Sequence, residues 1–261
     1  MSCKEPNIYR RIYKKQFTMI YIIGDSHVSV FSGTDKGQNG DRHIQPEFAY
    51  CYTLKLGSLR AHNKFEQRVP YFCPIKIGST TAYSSFKMIP VIERVIEEYV
   101  ITQDDYIFTC YGEIDIRNHI GHHIGDGTIE DAIKNTVEKY IDTILYLKDK
   151  GVNIGVYGPP ASSVNAGYAK EYGNVIMRNK MTIIFNAYLG EKCLEYEIPF
   201  KDISKFMILP DGTTNPKFIM DDIHLSQEIM PYLKEVFKTE IEKTKKYDKL
   251  NIKSTGNTKM D

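Results

Sequence analysis

Short apolar runs alternate with longer segments of helical periodicity along the 261-residue chain. The short runs are rich in β-branched and aromatic residues, which predicts buried strands. Because buried strands that alternate with helices form a parallel sheet covered by helices, we predict an α/β fold. The predicted strands are residues 19–23, 71–77, 106–111, 152–157 and 198–203.

The segments between and after these strands predict helices that pack against the sheet. Pro90 suits the first turn of one of them, and Gly151 is a typical C-terminal cap of another. Ser226 is a candidate N-cap for the last helix. We assign the apolar stripes of these helices to the core and to no other role. The predicted helical segments are residues 92–99, 132–145, 178–195 and 226–243.

The chain has room for one folded domain, which we place at residues 19–243. Residues 1–18 are basic, and we predict a flexible N-terminal extension. Residues 244–261 are rich in lysine and have few apolar side chains, which predicts a disordered tail. Residues 33–70 are rich in Gly, Asn, Gln and charge, which predicts an irregular insertion with one or two short elements.

The net charge of +1 hides an uneven distribution of charge. The chain has 34 basic and 33 acidic residues, and both ends are basic, so residues 19–242 keep 23 basic and 30 acidic side chains. A body with a net charge of −7 is poorly suited to bind a phosphate backbone, so we expect no nucleic-acid partner.

Cysteine content and hydropathy indicate where in the cell the chain would act. The five cysteines are scattered and form no Cys-x-x-Cys pair, which predicts reduced thiols and a cytoplasmic location. No apolar run approaches the roughly 18 residues needed to span a bilayer, so we expect no membrane span. The first residues lack the apolar stretch of a secretory signal. The sequence leaves the oligomeric state open.

Two short polar segments carry candidate chemistry. Gly24-Asp25-Ser26-His27 directly follows the first predicted strand, where open α/β sheets place their ligands. Taken alone, this segment is better explained as a turn with a helix-capping serine. Asp221-Asp222-Ile223-His224 precedes the last helix and can supply a histidine oriented by a carboxylate, although a simple polar turn is the alternative.

Taken together, the two segments resemble those of the SGNH (GDSL-like) hydrolase family. Gly78 after the second strand, Gly112-Glu113-Ile114-Asp115 after the third and Gly158-Pro159-Pro160 after the fourth agree with that resemblance in order and position. It covers about residues 19–242. The resemblance implies a three-layer α/β/α sandwich with a central, mostly parallel five-stranded sheet of the flavodoxin-like kind, and it implies no cofactor.

The resemblance also implies a role for each matched residue. Ser26 would be the nucleophile, His224 the general base and acid, and Asp221 the residue that holds the imidazole. The N–H groups of Ser26 and Gly78 would bind the oxyanion. The neighbouring candidates for lining the substrate site are Asp25, His27, Gly112, Asp115 and His119.

The third block departs from the family pattern at Ile114. The family carries an asparagine there whose amide donates to the oxyanion, and an isoleucine cannot donate. Arg117 or His119 is a candidate replacement, and the Gly-Glu-Ile-Asp sequence followed by x-Arg resembles a subgroup linked to glycan metabolism. An ion pair of Arg117 with Glu113 or Asp115 is an equally good interpretation.

Other motifs are weaker. The histidines of His119-Ile120-Gly121-His122-His123 could bind zinc, but the spacing matches no established metal motif, so we predict no metal site and expect this loop to border the active site. No phosphate-binding glycine motif is present in the sequence.

The sequence therefore predicts an esterase that acts on a small-molecule or glycan ester, with O-acetyl as the expected acyl group. An O-acyltransferase would use the same acyl-enzyme, so it remains an alternative. A non-catalytic carbohydrate-binding protein on an inactivated hydrolase fold is a second alternative, which Ile114 favours and the retained Ser26, Asp221 and His224 disfavour.

Overall fold

A computed structural model describes residues 18–33, 52–55, 58–61, 71–123, 127–164 and 173–245. These residues form the strands β1 (Ile20–Gly24), β2 (Tyr52–Lys55), β3 (Ser58–Ala61), β4 (Phe72–Lys76), β5 (Tyr106–Cys110), β6 (Asn153–Tyr157) and β7 (Phe200–Lys201). Their α-helices include α1 (Ile89–Tyr99), α2 (Ile129–Lys148), α3 (Val175–Glu195), α4 (Ser204–Met207) and α5 (Met230–Val236).

The central sheet has five parallel strands in the order β4-β1-β5-β6-β7. This confirms the predicted α/β fold and the five strands expected from the apolar runs. The chain moves from β1 to β4 on one side and then returns to β5 on the other side of β1. The strand order therefore reverses at β1, and the carboxyl end of β1 lies at the point where open α/β sheets bind ligands.

Helices cover both faces of this sheet. Tyr21 and Ile23 of β1 pack in one core cluster with residues of α1, α2 and α3. Ile20 and Ile22 point to the opposite face and pack in a second cluster with residues of α4 and α5. Because successive strand residues alternate between faces, fully apolar strands are buried on both sides, which produces three layers. At about 25 cal/mol per Å² of apolar surface, these two clusters supply the main stabilisation of the fold.

The predicted insertion contributes a small element of its own. Strands β2 and β3 pair in antiparallel fashion as a separate two-stranded sheet. The remainder of residues 34–70 lies outside the described residues, as do 1–17 and 246–261. The predictions of a flexible N-terminal extension and a disordered tail therefore fall mostly outside the described part. The first two residues of the predicted tail, 244 and 245, continue a helical segment that begins at 238, and Thr244 is buried.

The last helix differs from its prediction. Residues 227–229 form a 3-10 turn, α5 begins at Met230 with Pro231 in its first turn, and α5 is capped at Phe237. Ser226 does not cap through its side chain, because its Oγ donates to the carbonyl oxygen of Lys217 at 2.6 Å. A proline within the predicted helix cannot donate an amide hydrogen bond, and it fits at the helix start instead. Within the described residues, no helix is long and apolar enough to cross a membrane.

Candidate active site

The register of the central strands brings three candidate residues to one edge of the sheet. Gly24 of β1 is paired with Lys76 of β4 and with Cys110 of β5. Ser26, Gly78 and Gly112 each lie two residues beyond these paired positions. The backbone after three adjacent strands therefore meets at the carboxyl edge, as the sequence predicted from strand order.

The turn that carries Ser26 is built around the Asp25 side chain. Asp25 Oδ1 accepts a hydrogen bond from the His27 N–H at 2.9 Å, so Asp25 is the N-cap of the segment Ser26–Ser32. This segment is a 3-10 helix. Asp25 and His27 are buried, whereas Ser26 is partly exposed. The turn thus presents the serine at the surface of a buried polar segment.

Asp221 and His224 contact each other within one turn, as their spacing predicted. His224 Nδ1 lies 2.8 Å from Asp221 Oδ2. The other carboxylate oxygen, Asp221 Oδ1, accepts from the N–H of Ile223 at 2.7 Å and from the N–H of His224 at 2.6 Å. The carboxylate therefore orients both the imidazole and the backbone that carries it, and Nε2 faces away from the carboxylate.

These hydrogen bonds determine the charge of Asp221. Partial burial would raise the pKa of this carboxyl, but the side-chain and backbone hydrogen bonds of His224 and the Ile223 N–H lower it to about 2. Asp221 is therefore ionised at neutral pH and can stabilise a positive charge on the His224 ring.

The two segments lie side by side. The His27 ring contacts the second segment through Nε2, which is 3.3 Å from the carbonyl oxygen of Ile223. The ring centroids of His27 and His224 are 5.7 Å apart. Within the described residues, no hydrogen bond joins Ser26 Oγ to the His224 ring. Contacts of this kind are often long before substrate binds.

Gly78 lies in the loop that follows β4 and has a positive φ. Its φ of 113° is one that glycine adopts readily, and no described atom lies within 4 Å of the position that a Cβ would take. The preceding residue, Ile77, donates its N–H to the Gly24 carbonyl oxygen at 2.9 Å, which ties this loop to the end of β1. The backbone at Gly78 therefore borders open space beside the Ser26 turn.

Asp115 holds the backbone of residues 82 and 83, which follow Gly78 in the chain. It is fully buried, and its carboxylate accepts from the N–H groups of Ala82 at 2.6 Å and Tyr83 at 3.1 Å. Burial raises the pKa of Asp115 to about 6, although the two backbone hydrogen bonds oppose the rise. Asp115 thus has a different place from the substrate contact expected of it, since no part of its side chain reaches the surface.

Arg117 forms the ion pair that was one of its two interpretations. Its Nε lies 2.7 Å from Glu113 Oε1 and its Nη2 lies 3.1 Å from Glu113 Oε2, a bidentate geometry in which both residues are buried. The partner is Glu113 and not Asp115. Ile114 begins the same turn and supplies no donor.

The other candidates for lining the site divide by exposure. Asp25 and His27 are only 1% and 2% exposed, so their side chains do not line the substrate site as the sequence had predicted. Gly112 has a φ of 116°, and a Cβ there would lie 3.1 Å from Phe185 and Pro159, so its backbone needs glycine for packing. His119 is partly exposed at the end of a π-helical turn.

The sequence did not reveal a surface cleft next to Asp221. This cleft has a volume of about 290 Å³ and lies between the 163–164 segment and the 216–222 segment. Its lining is mixed: Val164, Ile219 and Met220 contribute apolar surface, and Ser163, Asp221 and Asp222 contribute polar surface. No motif in the sequence marks these residues as the lining of a cleft. Within the described residues, no group of three or more His, Cys, Asp or Glu side chains is arranged to hold a metal ion.

Comparison with solved structures places this arrangement in a known fold. No protein-family model and no curated protein sequence matches the chain. A GDSL-like lipase from Bacteroides thetaiotaomicron is similar in structure, with a TM-score of 0.54, 14% identity and coverage of 92% of each chain. An inferred acylhydrolase from Bacteroides fragilis gives a TM-score of 0.53 and 14% identity, over 94% of this chain and 99% of the other. The described part of the chain therefore has the same fold as these proteins.

Proposed function

We propose that this chain is a serine ester hydrolase that removes a small acyl group, with O-acetyl on a sugar or glycan as the expected substrate. The observation that carries the proposal is the Asp221–His224 pair, whose imidazole is fixed by a 2.8 Å contact beside the turn that presents Ser26. The location at the reversal of strand order supports it. Two solved structures with this fold are named as an acylhydrolase and a GDSL-like lipase, which also supports the proposal.

The proposed mechanism follows from the position of each group. Asp221 accepts the Nδ1–H of His224, so Nε2 has a free lone pair that takes the Ser26 hydroxyl proton. Ser26 Oγ attacks the acyl carbon, and the N–H groups of Ser26 and Gly78 stabilise the negative charge on the carbonyl oxygen. His224 then gives its proton to the departing alkoxide oxygen. Water repeats the sequence on the acyl-enzyme and releases the acid.

The cleft of about 290 Å³ beside Asp221 is lined by neither Ser26 nor His224 among the described residues, so its volume does not set the size of the substrate. The O-acetyl assignment depends on the resemblance of Gly112-Glu113-Ile114-Asp115 to the glycan-linked subgroup.

The nucleophile can be tested with an activated ester. Purified protein should release p-nitrophenol from p-nitrophenyl acetate, and Ser26→Ala should lower kcat by at least about 10³-fold because the acyl-enzyme cannot form. Ser84→Ala is a matched control, since Ser84 makes no capping hydrogen bond through its side chain in the turn before α1. Ser26→Ala with wild-type kcat would refute the proposal.

A fluorophosphonate probe separates the hydrolase from the binding protein that Ile114 favours. The hydrolase should be labelled at Ser26, and mass spectrometry of the labelled peptide identifies the residue. Absence of labelling between pH 6 and 9 would contradict the hydrolase and support carbohydrate binding without catalysis. Adding a sugar acceptor to the ester assay separates transfer from hydrolysis, because a transferase would form an acylated sugar.

The proposed place of action is a reducing compartment such as the cytoplasm. Cys110 and Cys193 are free thiols buried in the structure, which suits a reducing compartment.

A further inference from the structure

The buried His27 ring lies between two hydrogen-bond acceptors. Its Nδ1 is 3.1 Å from Asp25 Oδ1, and its Nε2 is 3.3 Å from the Ile223 carbonyl oxygen. Asp25 Oδ1 also accepts the His27 backbone N–H, so this oxygen acts as an acceptor. A neutral imidazole has one N–H and would leave one nitrogen lone pair facing an oxygen. Both contacts are satisfied together by an imidazolium ion.

The charges around His27 favour that ion. Burial opposes a positive charge on the ring, but the Asp25 and Glu113 carboxylates more than offset it and raise the pKa of His27 to about 9. Arg117 acts in the opposite direction and, because it is paired with Glu113, it offsets the effect of that carboxylate on the pKa of His27, so Asp25 is the main cause of the rise. The His224 ring is the other titratable neighbour, 5.7 Å away between centroids.

We infer that His27 is a positioning residue: as an imidazolium it links the Asp25 carboxylate beside the nucleophile to the Ile223 carbonyl beside the general base. This inference rests on the proposed function, since it assigns His27 a part in placing Ser26 and His224. Ile223 is held at both ends, because its N–H donates to Asp221 Oδ1 and its carbonyl accepts from His27. The link therefore sets the distance between the two catalytic segments.

The consequence for catalysis is geometric. A displacement of about 1 Å between a nucleophile and its base can cost about 10²-fold in rate. His27 is 2% exposed, so its loss should not remove a contact with substrate. Loss of His27 is therefore expected to lower kcat and to leave KM nearly unchanged.

Two amide variants separate the contacts of the ring. In His27→Gln the side-chain amide nitrogen lies near the former Nε2 and can still donate to Ile223, whereas in His27→Asn it lies near the former Nδ1 and can donate to Asp25. We expect His27→Asn to lower kcat for p-nitrophenyl acetate by about 10²-fold and His27→Gln by about 10-fold, with KM within about threefold. Wild-type kcat in both variants would overturn the inference, as would a rise in KM at constant kcat.

A structural control guards against a general loss of stability. Thr136 is fully buried in α2, away from the site, and donates to the Ala132 carbonyl oxygen at 2.8 Å. Thr136→Val removes this buried hydroxyl and should keep kcat. A fall in kcat for Thr136→Val equal to that for His27→Asn would show that the assay reports stability, which would overturn the inference.

The ionic state can be measured independently of activity. Ring ¹⁵N NMR of the full chain at pH 7.5 should show both His27 nitrogens protonated, with the signals assigned by their loss in His27→Gln. A neutral ring would overturn the inference. The proposed function fails separately, when the wild-type protein has no Ser26-dependent esterase activity; the inference fails when that activity is present and the His27 variants keep it.

Discussion

Glu113 and Arg117 form a buried ion pair, four residues apart in the chain. Arg117 was a candidate donor to the oxyanion because Ile114 cannot donate. In the structure, the Nε and Nη2 groups on one edge of its guanidinium donate to the Glu113 carboxylate, and the Arg117 and Glu113 side chains are 10% and 5% exposed. A buried bidentate pair of this kind fixes the guanidinium in place.

The pair predicts a specific pattern of stability. Arg117→Met and Glu113→Leu should each lower the free energy of unfolding by about 3–5 kcal/mol, because each leaves one buried charge without its partner. The double variant should recover most of that loss, because it removes both charges and keeps apolar volume. Urea unfolding of the four proteins measures the pattern, and additive losses would contradict it.

The same variants test the oxyanion role of Arg117. If Arg117 serves only to pair with Glu113, the stable double variant should keep kcat within a few-fold of the wild-type value. A double variant that is stable but has lost about 10²–10³ in kcat would instead show that Arg117 donates to the oxyanion.

The sequence predicted the residues with recognisable spacing and missed those that act through the backbone. Asp221 and His224 are three positions apart in one turn, so their contact follows from local geometry. The contact between His27 and the Ile223 carbonyl joins positions 196 residues apart through a main-chain atom. Every residue has such an atom, so sequence contains no signal for it. Burial of Asp25 and His27 depends on this long-range packing and was missed for the same reason.

At the scale of strands and helices, the sheet edge depends on the close approach of β1 and β5. A Cβ at Gly24 would overlap the carbonyl group of Cys110, which is backbone and cannot move aside without moving β5. Ser26 and Gly112 follow these two strands, so the spacing of the strands also sets the spacing of the site.

Gly24→Ala should therefore destabilise the fold although it adds only one methyl group. We expect the free energy of unfolding to fall by about 3 kcal/mol or more, the upper end of what overpacking usually costs, and kcat to fall as well. Gly151→Ala is the matched control: its φ of 78° is strained for alanine, but the nearest atom to the new Cβ is 3.7 Å away. It should cost about 1–2 kcal/mol and leave kcat unchanged. Equal losses in thermal or urea unfolding would show that the contact with Cys110 is unimportant.

Element boundaries were less predictable than element types. The five parallel strands follow from apolar content, and that content is set by burial on both faces. The last helix was predicted as one segment, yet α5 begins at Met230, because Pro231 suits a first turn and not an interior position. β7 has two residues instead of the predicted six, since it pairs with β6 alone at the sheet edge. Periodicity is a local signal and does not report where pairing ends.

Across the whole molecule, a buried set of charged groups lies beneath the candidate site. Asp25, Glu113, Asp115, His27 and Arg117 are each less than a tenth exposed. Burial of so many charges is unfavourable unless they are paired, and the structure pairs His27 with Asp25 and Arg117 with Glu113. The stability of the whole chain should therefore depend on the pH at which these groups titrate.

The direction of that dependence follows from where each pKa lies in the folded chain. The pKa of His27 is about 9 when folded, against about 6.5 for an exposed histidine, so the folded chain binds this proton more tightly. The stabilisation is complete below pH 6.5 and is lost as the pH rises to 9. Asp115, with a folded pKa of about 6, has the same sign in a lower window, from about pH 4 to 6. Asp221 has the opposite sign: its stabilisation is present above pH 4 and is lost as the pH falls towards 2.

The His27 window is the most direct to measure. A shift from about 6.5 to about 9 corresponds to about 3 kcal/mol, so the wild-type free energy of unfolding should fall by about that amount between pH 6 and 9. His27→Gln lacks the titrating group, and its free energy of unfolding should be lower at pH 6 and nearly constant up to pH 9. Urea unfolding of both proteins at pH 6, 7.5 and 9 gives the comparison, in which contributions from the other histidines cancel. The difference in free energy of unfolding between the two proteins should shrink as the pH rises, because only a charged His27 stabilises the folded wild type. A difference that stays constant with pH would show that His27 gains no proton affinity on folding.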